Sequence, residues 1–173
     1  MDDMSRIWIE KLELGGRLIG EHSYAAAEAL MKALLQEQPA IVEARYVLGM
    51  ALMQQGRYDE ALLEASRLRE LEPAHSGAAM IEIYVYQKQD LVVTEVSLLK
   101  KLIARLQAGT DRRFLGEAWS LLGSAYTLLG EPEEAVRAFL ASSRVEQVPE
   151  QQIREYSNAL FAANYSAKFQ GKR

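Results

Sequence analysis

The stretch AWSLLGSAYTLLGEPEEAVRAFLAS, Ala118–Ser142, decides how the rest of the chain is read. Trp119, Leu122, Gly123 and Tyr126 come first, and Ala135 and Phe139 come after a break at Gly130–Pro132. Within each group the steps of three and four residues place the side chains on one face of a helix. The break has the chemistry of a turn feeding a second helix. Pro132 suits the first helical position, and Glu133 and Glu134 fall where the positive end of a helix favours carboxylates.

Outward from this hairpin, the chain repeats itself. Leu14 and Leu48, Gly15 and Gly49, Tyr24 and Tyr58, Ala27 and Ala61, and Pro39 and Pro73 are each 34 residues apart. Counted from Gly116 as position 1, the quoted stretch carries Trp at 4, Leu at 7, Gly at 8, Tyr at 11, Ala at 20 and Phe at 24. This W-x2-L-G-x2-Y…A-x3-F pattern, with its period, resembles the tetratricopeptide repeat, a helix–turn–helix unit. The resemblance implies an all-α fold, a right-handed superhelix of antiparallel helix pairs. The expected array spans 1–149, as repeats 8–41, 42–75, 76–115 and 116–149, with a capping or linker helix over 150–173.

Each signature residue has a mechanical reason. Gly at position 8 lets the two helices of a hairpin approach at backbone distance, and the small Ala at position 20 does so from the other side. The large side chains at 7, 11 and 24 fill the space between hairpins, and Pro39 and Pro73 stand where the second helix stops. No hairpin covers its own apolar face, so stability is shared along the array. Gly49→Leu and Ala61→Phe are expected to overpack, whereas Glu64→Gln, in the charge-rich face EASRLRELE, is expected to change little.

The third repeat departs from the pattern. Ile83 stands for the Gly, Glu95 for the Ala, and the unit runs to 40 residues. The surplus is expected in a longer second helix and in the loop QAGTDRRF, with Asp111 a candidate N-cap for the next helix. Two readings of the irregularity stay open: sequence drift, or a bend or displayed loop.

Composition narrows the chemistry. Apolar residues make up 49% and charged residues 25%, a globular balance, and the formal net charge of −4 argues against nucleic acid. No basic, apolar leader opens the sequence and no apolar run reaches the ~18 residues of a membrane span, so a cytoplasmic location is expected. With no Cys there is no disulfide or thiolate site. The two His, His22 and His75, lie at turns more than fifty residues apart and read as surface turn residues rather than metal ligands. GGRLIG, with Gly15, Gly16 and Gly20, lacks the Gly-Lys-Ser/Thr ending of a phosphate loop. Arg112 and Arg113 beside Asp111 form a small basic step, either a solvated loop or a seat for a phosphate or carboxylate. No catalytic residue, cofactor site or metal site is expected in this chain.

Function then rests on surface. The resemblance implies a concave groove lined by the first helices. Positions 5 and 9 supply Tyr46, Met50, Met80, Tyr84, Ser120 and Ser124. Position 12 adds Met53, Gln87 and Thr127. The Lys, Arg and Asn that clamp a terminal carboxylate in some members are missing at positions 5 and 9. The Asn ladder of the eukaryotic O-linked N-acetylglucosamine transferases is missing at position 6, which holds Glu13, Val47, Ile81 and Leu121. What remains is rich in Met and Tyr, suited to a peptide or amphipathic segment, or equally to packing between the first helices. A second resemblance covers YSNALFAANY, Tyr156–Tyr165, which looks like the segment after the repeats in bacterial O-linked N-acetylglucosamine transferase-like glycosyltransferases. Ile153, Tyr156, Leu160, Phe161 and Tyr165 fall on one side of the expected terminal helix. The expectation is a non-catalytic protein-interaction module; the alternatives are the acceptor-binding arm of a larger glycosyltransferase, or a self-associating scaffold that forms a homodimer.

Overall fold

The computed structural model describes residues 3–109 and 112–146, and within them the chain is entirely helical between its turns. The helices are α1 (Asp3–Gly20), α2 (Tyr24–Glu37), α3 (Val42–Gln54), α4 (Tyr58–Leu71), α5 (Gly77–Lys88), α6 (Val92–Ala108), α7 (Leu115–Leu129) and α8 (Pro132–Glu146). They fall into two compact units, residues 1–88 with α1–α5 and residues 89–173 with α6–α8. The division lies inside the third repeat.

In the first unit α1 packs on α2 and α3, α3 on α2, α4 and α5, and α4 on α5. Met31, Leu34, Leu48, Leu52, Met53, Leu68 and Ile81 form its core with the small Ala44, Ala61, Ala65 and Ala78. In the second unit α7 packs on both α6 and α8. Burying side chains such as Phe139, 1% exposed, contributes on the order of 1.5–3 kcal/mol each.

One backbone feature ties every repeat to the same register. His22, Gly56, Asp90 and Gly130 all have positive φ, between 56° and 76°. All four occupy position 15, and the next helix starts two residues later in each case, at Tyr24, Tyr58, Val92 and Pro132. In the first, second and fourth repeats the first helix ends in the same doubly bonded turn. Ser23 N–H donates to Leu18 O, Arg57 N–H to Leu52 O and Glu131 N–H to Tyr126 O, each with a shorter-range partner from the position-15 amide. His22 to Gly56 and Gly56 to Asp90 are both 34 residues, whereas Asp90 to Gly130 is 40. The extra residues of the third repeat therefore come after position 15. They appear as the 17-residue α6, against 14 in α2 and α4, and as the connection to α7.

The position-8 glycines are tight in the structure, but against side chains rather than against a neighbouring backbone. A methyl on Gly123 would lie 2.8 Å from Cδ1 and Cε1 of Phe139, and one on Gly15 would lie 2.7 Å from Met31 Cε. Both large side chains sit at position 24. The second repeat solves the problem differently: position 24 is Ala65, and Gly49 instead meets Ile81 Cδ1 of α5, 2.5 Å from a methyl placed there. Ala27, Ala61 and Ala135 are buried at position 20, and Glu95 is buried at the same place in the third repeat, 1% exposed. Pro132 opens α8 with Glu133 and Glu134 in its first turn, and Pro39 and Pro73 come just after the ends of α2 and α4.

Some expectations need correction. Leu14 is 40% exposed, because α2 and α3 lie against α1 without covering it there. Glu64 is buried at 5% rather than part of an exposed face. His75 is buried at 4% rather than a surface turn residue. Phe114 occupies the N-cap of α7, while Asp111 lies outside the described residues, as does the expected helix over 150–173.

Candidate functional site

Of the nine expected groove residues, six belong to the first unit. Tyr46 and Met50 stand one turn apart on α3, and Tyr84 and Gln87 one turn apart on α5, the helix that packs beside α3. All four are half-buried, and Tyr46, Met50 and Tyr84 pack against the core while keeping part of their surface in solvent. Met53 and Met80 do not line an open surface, for they are 1% and 0% exposed and belong to the interior. In the second unit Thr127 is 3% exposed, and its hydroxyl donates to Gly123 O at 2.9 Å. Ser124 also turns back on its own helix, donating to Ser120 O at 3.2 Å, and both serines are half-buried. The hydroxyls of Ser124 and Thr127 thus donate to α7 carbonyls.

Tyr46 is held by the α4–α5 junction. A methyl on Gly77 would lie 2.7 Å from Tyr46 Cδ2 and from His75 Cε1, so the absence of a side chain there lets both rings close on the start of α5. Gly77 N–H donates to His75 Nδ1 at 3.1 Å. That bond satisfies a backbone donor at the first turn of α5, as a capping side chain does, and it places the imidazole proton on Nε2 when the ring is neutral.

Two polar clusters brace the same unit. Arg45 Nη1 donates to Glu64 Oε2 at 3.0 Å and its Nη2 to Pro39 O at 2.8 Å, while Arg67 Nη1 reaches Glu64 Oε1 at 2.6 Å. Glu64 thus joins α4 to α3, and Arg45 extends the link to the end of α2. Glu28 on α2 accepts from Lys32 Nζ at 2.6 Å, Gln55 Nε2 at 2.8 Å and Arg57 Nη1 at 2.7 Å. The Lys32 hydrogen bond, supported by those from Gln55 and Arg57 against the opposing effect of burial, holds the Glu28 carboxyl at about 2. Arg57 also binds Glu60 and lowers its carboxyl below the usual range. In both clusters the charges are paired across helices, which is structural chemistry.

Residues 18–81 and 118–147 match family models described as the tetratricopeptide repeat, and over these stretches, more than half of its length, the chain is a tetratricopeptide-repeat protein. Solved structures agree on the fold. MamA 41-end from Desulfovibrio magneticus RS-1 is 17% identical, with 100% of this chain and 99% of that chain covered and a TM-score of 0.59. The MamA RS-1 ArsTM double mutant is 18% identical, covers 97% and 98%, and has a TM-score of 0.58. The nearly identical TPR-like repeats of a putative kinesin light chain from Podosopora anserina are 21% identical, cover 98% and 90%, and give 0.64. A search of curated proteins returns no match. The glycosyltransferase resemblance of residues 156–165, which lie outside the described residues, finds no support in these matches.

Among the described residues no group of three or more His, Asp or Glu is placed to hold a metal, and no helix is long and apolar enough to cross a membrane. Sequence reasoning missed His75 and Glu64, the two residues that fix the helix junctions flanking Tyr46. Their signal was available only in part: His75 directly precedes the small pair Ser76–Gly77, where a helix start was expected at the repeat boundary.

Proposed function

We propose that the chain is a non-catalytic protein-interaction module that holds a peptide or amphipathic segment against α3 and α5. The observation that supports this reading is the placement of Tyr46, Met50, Tyr84 and Gln87 on two adjoining helices, rooted in the core and partly in solvent. Tyr supplies area with a polar tip and Met adapts its shape, a pairing suited to an apolar ligand face. The test is a photo-crosslinker at Met50, followed by direct binding of the captured segment to purified protein. Met50→Glu with Tyr84→Glu should abolish that binding while leaving helicity unchanged. Undiminished affinity in the double variant would exclude this surface.

A second reading is self-association into a homodimer through α1. Ile7, Ile9 and Leu14 are 40–44% exposed on that helix, and Ile7 and Leu14 share one face at a spacing of seven. Sedimentation that reports a monomer at every concentration, with or without Leu14→Lys, would remove it.

A further inference from the structure

We infer a second ligand-binding surface, in the unit of α6–α8, that takes an acidic peptide carrying a large apolar side chain. It begins from a contrast between equivalent places in two repeats. Position 4 of the second repeat is Arg45, whose guanidinium ties Glu64, at position 23, to Pro39 O. In the fourth repeat the same positions are Trp119 and Ala138. The clasp is replaced by an aromatic ring opposite a methyl group, and beside the ring lies an open cleft of about 830 Å³.

Leu115 and Trp119 of α7, Ala141 and Val145 of α8 and Gln107 of α6 line the cleft. Arg112 and Arg144, both exposed, also line it, and no described acidic side chain does. Neither guanidinium is engaged in an ion pair among the described residues. In a chain of net charge −4, a cleft whose described charges are all positive selects its occupant by sign. The two guanidiniums suit carboxylates, which accept their paired N–H groups, while the half-buried indole face and Leu115 suit a Phe- or Leu-like side chain. The volume is in the range that encloses such a side chain with its neighbours. A cationic segment meets repulsion there, and the net charge of the chain opposes a phosphate backbone. The occupant is therefore a peptide segment of a partner in which Asp or Glu flank an aromatic or branched aliphatic residue.

The experiment uses the full chain with Trp8→Phe, which leaves Trp119 as the sole indole. Its emission is titrated with a short synthetic peptide of Phe residues set among Asp and Glu. Two control peptides carry Lys in place of the acids, or Ala in place of Phe. The expected result is a saturable blue shift with the acidic Phe peptide alone, weakened about tenfold or more by Arg112→Glu with Arg144→Glu. Arg144→Gln, a milder surface change, should weaken it in the same direction if the double variant loses helicity. Met50→Glu with Tyr84→Glu should leave this titration unaltered, so failure here and failure of the α3–α5 surface are separable. Equal binding of the Lys peptide, or an unchanged midpoint in the folded arginine variants, overturns the proposal. The same shift with a single-stranded oligonucleotide, or with protein concentration alone, also overturns it by assigning the cleft to nucleic acid or to a second copy.

Discussion

Position 15 shows how a single residue carries the repeat. The chain turns there with positive φ, which Gly adopts freely and other residues adopt at a cost of roughly 1–2 kcal/mol. Gly56 and Gly130 meet that demand, whereas His22 and Asp90 bear the strain. Asp90→Gly is expected to stabilise by about 0.5–1 kcal/mol, and Gly56→Ala to destabilise by about 1–2 kcal/mol, each read as a shift in thermal midpoint. Opposite results would mean that side-chain contacts, not φ, decide these turns. The adjacent glycines of α1 make a parallel test for space. A methyl on Gly15 meets Met31, but one on Gly16 meets nothing within 4 Å. Gly16→Ala should therefore stabilise by about 0.5–1 kcal/mol through helix propensity. Gly123→Ala, pressed against a rigid ring, should destabilise by about 1–3 kcal/mol. Glu64→Gln, neutral by sequence, is expected from the structure to cost about 1–3 kcal/mol, because it weakens charged hydrogen bonds to Arg45 and Arg67 in a buried place. Denaturant midpoints for Glu64→Gln and an exposed control such as Glu70→Gln decide between the two.

Between elements, the links are polar as well as apolar. Glu28 joins α2 to the α3–α4 turn through Gln55 and Arg57. Its carboxyl lies at about 2 in the fold against 4.5 when free, so as pH falls the unfolded chain takes up the proton first. The stabilisation is fully present above the free value and is lost as pH drops through the folded one. The gap in thermal midpoint between the native chain and Glu28→Gln should accordingly narrow over that acidic window; a gap independent of pH would show that the clamp contributes nothing through charge. His75 plays the corresponding part at the α4–α5 junction. His75→Ala removes the acceptor for Gly77 N–H and is expected to cost about 0.5–2 kcal/mol, the range of a lost cap, measured by chemical denaturation.

At the scale of the molecule, each unit is stable because helices cover one another in turn. Within the first unit α3 has neighbours on α1, α2, α4 and α5, while α1 touches only α2 and α3 and keeps Ile7, Ile9 and Leu14 partly in solvent. Amide exchange should be slowest in α3 and α4 and fastest in α1. Uniform protection across the five helices would mean that the unit opens only as a whole.

The chain by itself determined the period, the helix pairs and the glycine crossings. Those features depend on residues a fixed distance apart, whereas the structure showed that Phe139, expected between hairpins, presses on Gly123 of its own hairpin. The chain also placed the surplus of the third repeat in its second half, where the turn at Asp90 and the long α6 put it. Tertiary structure alone decided that Met53, Met80 and Thr127 are interior, that Glu64 and His75 are buried, and that Ile81 takes over at Gly49. In these cases the deciding neighbour comes from another repeat, or a local hydrogen bond takes up the polar group. A pattern of spacings reports which face a side chain occupies, not what stands opposite it.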